Sequence, residues 1–93
     1  MHSKNKKPMT EAERRHVTRV KLLPCGVCGE GGGDLAPSEA HEIEQGQWFT
    51  SIGLCADCHR GAINGLHSQQ RIWKVLKLTE LRVLNETIRR LYG

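Results

Sequence analysis

Two cysteine pairs, Cys25/Cys28 and Cys55/Cys58, carry the most specific chemical signal in this 93-residue chain. Two intervening residues let both thiolates of one turn reach a single ion at ~2.3 Å, and two such turns supply a closed tetrahedral zinc site. Four free thiols, or a pair of disulfides, fit the spacing less well. Four sulfurs leave no coordination position for water, so the expected Zn²⁺ is structural. Because the unfolded chain has no such site, binding the ion counts as folding free energy. Catalysis has to be sought elsewhere.

Three histidines lie in the same region: His41 in "EAHEI", His59 directly after the second cysteine pair, and His67 eight residues further on. A neutral imidazole can accept a proton near pH 7, and imidazoles with carboxylates can hold a divalent cation. Glu39, Glu42 and Glu44 are the carboxylates at hand. If a helix starting at the second cysteine pair packs on a hairpin, His59 faces the strand that bears His41. That arrangement would be one imidazole free to act as base, others facing it, and acids to complete the site.

The elements that must position these groups follow from local pattern. Thr10 with Glu13 three residues later is a capping box, and Val17, Val20 and Leu23 give the following segment an apolar side, so a short helix ends at Pro24. His16 on that segment reads as a surface side chain. "PCGVCGEGGGD" is a metal-suited turn followed by a glycine loop that lacks the Gly-Lys-Ser/Thr ending of a phosphate cradle. Residues 35–43 and 47–54 have extended character and predict a hairpin joined at "EQG". A short helix begins at "CADCH", limited by Gly61 and the Asn64-Gly65 pair. Ser68 predicts a cap for a helix over 68–77, and Thr79 a cap for a second over 79–92 with Leu81, Leu84, Ile88 and Leu91 on one face. The chain has no internal repeat apart from the two cysteine pairs.

Size explains why a metal staple is needed. A chain this short makes one domain and buries too little apolar surface for comfortable stability, and it has four aromatic residues, Trp48, Phe49, Trp73 and Tyr92. The expected organisation is therefore a disordered basic lead over residues 1–9 and a single zinc-stabilised α+β domain over 10–93. No apolar run approaches the roughly 20 residues needed to span a bilayer, and the first residues lack the apolar segment of a signal peptide. Cysteine pairs of this kind point to the cytoplasm, where thiols stay reduced, and to no membrane partner.

The formal net charge of +4 is unevenly placed. Residues 1–24 hold seven Lys/Arg against two Glu, residues 25–66 one Arg against six acids, and residues 67–93 six Lys/Arg against two Glu. An acidic centre between basic flanks suits a protein that grips a phosphate backbone, with Arg14, Arg15, Arg19, Lys21, Arg71 and Lys74 as candidate DNA contacts. Solvated helix faces would give the same charge pattern.

The order Cys-x-x-Cys, then "EAHEI", then "SIGLCADCH" resembles the zinc-bearing HNH, or His-Me finger, nucleases over about residues 22–67. The tail "GAINGLHSQQRIWKVLKLTELRVLNETI" is similar to small phage and prophage proteins related to the recombination-enhancement (Ref-like) nucleases. The resemblance implies a ββα-metal core with flanking helices, His41 as general base and His59 as a ligand of a catalytic Mg²⁺ or Mn²⁺. Ala40 stands where the family commonly has a metal-binding aspartate or histidine, and Thr50 where an asparagine is expected. His67 is then the first compensating ligand, Glu39 the second and Glu44 the third. Arg60 is placed to contact the scissile or a neighbouring phosphate.

The expected activity is metal-dependent endonucleolytic hydrolysis of DNA, leaving 5′-phosphates by family resemblance, with little sequence specificity because no base-reading helix is evident. The expected setting is a bacterial or phage-infected cell, with a recombinase or other recombination protein as a further partner. Two other classes fit the same residues. A noncatalytic zinc module would bind DNA without needing His41, and an adaptor would use the apolar face of residues 68–92 to dock a protein or a second copy.

Overall fold

The computed structural model describes residues 8–93, so residues 1–7 of the expected lead lie outside the described residues. Helix α1 (Glu11–Lys21) starts as its sequence predicts. The Thr10 hydroxyl accepts from the Glu13 amide at 3.1 Å, and the Glu13 carboxylate accepts from the Thr10 amide at 2.8 Å. It buries Val17 and Val20 and stops at Leu22, two residues before Pro24. His16 is not a free surface side chain. Its ring lies 5.2 Å from that of Phe49, and burial, helped by Arg19, lowers its pKa.

Strands β1 (Glu39–Glu42) and β2 (Ser51–Leu54) form an antiparallel pair in which His41 sits opposite Ile52 and Glu39 opposite Leu54. The hairpin arms are shorter than the extended segments 35–43 and 47–54 predict. Before β1, the Ser38 amide donates to the Lys21 carbonyl at 2.8 Å, so α1 takes a backbone bond that a longer ladder would have used. Before β2, Trp48–Thr50 coil into a 3₁₀ turn, with the Thr50 hydroxyl donating to the Gln47 carbonyl at 3.1 Å. Phe49 thereby reaches His16 instead of pairing across the sheet.

All four residues of β2 are buried, because α1, the short helix α2 (Ala56–Arg60) and the last helix, α4 (Glu80–Tyr92), pack around it. Gly53 permits the close approach of α1, since a Cβ there would lie 2.9 Å from the Val20 carbonyl oxygen. Helix α3 (Arg71–Val75) is half the length that a cap at Ser68 predicts. The Ser68 hydroxyl instead donates to the Gly61 carbonyl, and Gln70 takes a left-handed φ of 59°, which starts the helix two residues later than that cap predicts. Lys77, also left-handed, turns the chain into α4 (Glu80–Tyr92).

Helix α4 is capped by Thr79 as predicted, its hydroxyl accepting from the Arg82 amide at 3.1 Å. Its buried stripe is rotated from the expected one. Val83 and Thr87 are buried while Leu81 is 73% exposed. The reason is close approach: a Cβ on Gly26 would meet the Val83 methyl at 2.6 Å, so the helix presents its small side chains to the cysteine turn. The core is one cluster of Cys25, Ile52, Leu54, Cys58, Trp73 and Val83, in which the cysteines are themselves packing residues. The described residues thus form a small α+β domain of four helices and a two-stranded sheet. No described helix is long and apolar enough to cross a membrane.

Candidate metal centres

The first centre is assembled from two turns that are built alike. In the first, the amides of Val27 and Cys28 donate to the Cys25 sulfur at 3.4 and 3.5 Å. In the second, the Cys58 amide donates to the Cys55 sulfur at 3.4 Å, which also caps α2. Gly26 ties the first turn to the sheet through its amide, 2.8 Å from the Gly53 carbonyl, and so brings the pairs together. All four sulfurs lie within 4.8 Å of one another, and Cys28 Sγ and Cys55 Sγ are 3.7 Å apart. Sulfurs bound to one tetrahedral zinc at ~2.3 Å are about 3.8 Å apart, so the set fits the ion. These four cysteines could hold a metal such as zinc.

The thiol chemistry points the same way. Burial raises Cys28 to about 11 and raises Cys58 further, whereas at Cys25 backbone donation from Cys28, Cys55 and Val27 outweighs burial and lowers it. Without a cation, Cys28 and Cys58 are driven to keep their protons. A divalent ion is the group that makes such buried sulfurs stable as thiolates. The buried Trp73 indole packs in the same core cluster as Cys25 and Cys58, its Nε1 donating to the Cys58 carbonyl at 2.9 Å.

The second centre is made of His41, His59 and His67, which contribute one ring nitrogen each to a group within 4.8 Å. The ring centroids are 5.1 Å apart for His41 and His59, 5.0 Å for His41 and His67, and 4.9 Å for His59 and His67. Each comes from a different element. His41 projects from β1 and His59 from the last turn of α2. His67 is returned by a tight loop in which the Leu66 amide donates to the Cys58 carbonyl at 2.9 Å and the His67 amide to the His59 carbonyl at 3.2 Å. Gly65 makes that loop possible, because a Cβ there would collide with the Gly61 carbonyl. The three rings border an open depression of about 240 Å³ together with Ala40, Glu42 and Gln45.

Hydrogen bonds dictate which nitrogens are available. His59 Nδ1 lies 2.8 Å from Glu39 Oε1, so its proton sits on that side and Nε2 keeps a lone pair. That Nε2 is 3.1 Å from His67 Nε2. Two nitrogens bound at ~2.1 Å to one ion are about 3.0 Å apart at a right angle and about 3.4 Å at a tetrahedral one, so this pair also fits a shared cation. His41 Nε2 lies 3.2 Å from Glu80 Oε2, and the side chain of His41 is 11% exposed. Burial lowers the His41 pKa, Glu80 opposes this and the other two imidazoles reinforce it, so the ring favours its neutral, proton-accepting form.

The remaining candidates fall in other places. Glu39 does not face the imidazole group as a ligand. Its oxygens accept from Arg60, Nε at 2.9 and 3.1 Å and Nη2 at 2.6 Å, as well as from His59. The Arg60 guanidinium, with His59 assisting, holds the Glu39 carboxyl at about 2. Arg60 is therefore paired with Glu39 while its side chain stays 66% exposed. Glu44 is exposed and outside the histidine group, Ala40 lines the depression without a donor atom, and Thr50 bonds its own turn.

Of the candidate DNA contacts, Arg14, Arg15 and Arg19 line one shallow surface of α1, with Arg14 3.9 Å from Glu11. Arg19 is engaged within the protein, donating to the Leu91 carbonyl at the end of α4 at 3.0 Å. Lys21, Arg71 and Lys74 are exposed. Glu80 is the site residue that sequence reasoning misses. It is 39 positions from His41, and its place at the start of a helix reads as an ordinary first-turn acid. Comparison with family models, curated proteins and solved structures finds no match to this chain.

Proposed function

We propose that this chain is a metal-dependent endonuclease hydrolysing DNA phosphodiester bonds, with an HNH-like ββα core, a structural zinc on Cys25, Cys28, Cys55 and Cys58, and His41 as general base. The observation that carries the reading is the convergence of three imidazoles from β1, α2 and the following loop on one open depression. A structural histidine is ordinarily satisfied by one or two nearby partners. Three rings that crowd one another at the surface suit a shared cation and a proton acceptor.

In this scheme His59 and His67 hold the cation through Nε2, with Glu39 orienting His59 and Arg60 orienting Glu39. When bound, the ion polarises the scissile phosphate and offsets charge on the departing oxygen. His41 removes a proton from the attacking water, a role its neutral form suits. With Glu39 occupied by Arg60, the donors are imidazoles. Such a set favours a first-row ion such as Mn²⁺, Co²⁺ or Zn²⁺ over Mg²⁺. The exposed cations Arg15, Lys21, Arg71 and Lys74 supply salt-sensitive attraction to the DNA backbone. A phage recombination setting with a recombinase partner belongs to the same proposal and rests on the sequence resemblance of residues 61–88.

Plasmid nicking across Mg²⁺, Mn²⁺, Co²⁺ and Zn²⁺ tests it, comparing wild type with His41→Ala. Removal of a general base costs about 10²- to 10⁴-fold in rate, while zinc on the cysteines stays at about one per chain. Cleavage at an equal rate in both proteins eliminates His41 as the base. DNA binding without cleavage in either favours a noncatalytic zinc module.

A further inference from the structure

We infer that Glu80 is the positioning residue for His41, with its carboxylate accepting the Nε2 proton so that Nδ1 is kept as the basic nitrogen. This rests on the hydrolytic reading of the histidine group. The contact is 3.2 Å long and spans 39 residues, from the first residue of α4 to the middle of β1. It lies in a partly enclosed place, with the two side chains 11% and 35% exposed.

An acid at the start of a helix has an ordinary alternative use, since it favours the positive end of the helix dipole. Helix α4 does not need Glu80 for capping, however. Thr79 already caps it, its hydroxyl accepting from the Arg82 amide at 3.1 Å. The carboxylate of Glu80 turns to the strand histidine instead. His41 otherwise faces two imidazoles, of which His67 has no carboxylate partner among the described residues and can present either a donor or an acceptor. An ionised carboxylate can only accept. It therefore removes the ambiguity at His41 by fixing the proton on Nε2, just as Glu39 fixes the proton of His59 on Nδ1. Two of the three rings are thus oriented by a carboxylate, one from β1 and one from α4. The C-terminal helix, outside the stretch that resembles a nuclease core, becomes part of the site.

Two variants of the full chain separate this role from a helix-charge role. Glu80→Ala removes the acceptor and the charge, and Glu80→Gln removes the charge but keeps a carbonyl oxygen that can accept. The readouts are the imidazole Nε2–H resonance of His41 in ¹⁵N-labelled protein and steady-state nicking. Glu80→Ala is expected to lose that resonance to water exchange and to lower kcat by about 10- to 100-fold with KM unchanged. Glu80→Gln is expected to retain the resonance and most of kcat. A helix-charge role would affect both variants alike in thermal stability and leave the His41 resonance in place. Persistence of the resonance in Glu80→Ala, or kcat equal to wild type in that variant, overturns the inference. If the wild type does not cleave DNA, the hydrolytic reading falls by itself. The resonance then decides alone whether Glu80 holds the ring: loss in Ala with retention in Gln supports it, and persistence in both refutes it.

Discussion

The cysteine and histidine clusters share the same short helix, with Cys58 and His59 as adjacent residues, yet they are built in different ways. Each cysteine turn is held by its own amides and anchored by one buried sulfur, Cys25 and Cys58 being 0% and 1% exposed, with Cys28 and Cys55 partly buried. The histidines border an open depression and are held by partners from elsewhere, Glu39 for His59 and Glu80 for His41. A closed, saturated donor set makes a staple, whereas an open set with oriented rings leaves room for a reactant. The difference teaches that exposure and partner identity, more than donor type, separate the candidate structural centre from the candidate reactive one.

Breaking the staple should have the largest effect. Structural zinc contributes on the order of 10 kcal/mol in small domains, comparable with a domain's whole stability. Cys58→Ser, or a strong chelator at neutral pH, is therefore expected to abolish the cooperative thermal transition followed by circular dichroism. An unchanged melting curve after the metal is removed would show that the sulfurs are ordinary core residues. Next in size is Trp73→Ala, which deletes the 2%-exposed indole over Cys58. Such truncations cost about 3–5 kcal/mol, and a Tm fall of at least about 12 °C is expected for a domain of this length. A shift of a degree or two would mean that the zinc centre needs no apolar lid.

The histidine side should respond in affinity and not in stability. Glu39→Ala is expected to weaken binding of a second Co²⁺ or Zn²⁺ by about 10- to 100-fold, read by calorimetry on protein already loaded at the cysteines. Its Tm should stay close to wild type, and a large Tm loss would blur the contrast between the clusters. The smallest effect belongs to Arg60→Gln. The Glu39 carboxyl is depressed to about 2 mainly by Arg60, so the pair's contribution is present above the unfolded carboxylate pKa and lost as pH falls towards 2. Without the guanidinium, the Glu39 titration seen by ¹³C NMR should move up towards the ordinary carboxylate range. An unmoved titration would assign the depression to His59 instead.

Much of the frame is legible in the residues. The capping box at Thr10 and Glu13, the Thr79 cap and both cysteine turns depend on neighbours within a few positions, and each forms where its pattern predicts. The hairpin is legible as a hairpin but not in its length, because α1 takes the Ser38 amide and Phe49 turns to His16. The burial of Val83 and Thr87 in place of Leu81 depends on how closely Gly26 lets α4 approach, which no helical periodicity contains.

Spacing alone was enough to mark the four sulfurs, which cluster within 4.8 Å, as one candidate metal set, since two residues between cysteines determine bite geometry locally. It was also enough to mark His41, His59 and His67 as donors. Which of their nitrogens are free, that Glu39 is bound to Arg60, and that Glu80 reaches His41 were decided by the pairing of β1 with β2 and the docking of α4. The physical reason is range. A short turn constrains its own atoms, while contacts across 20 or 39 residues exist only after the chain has packed.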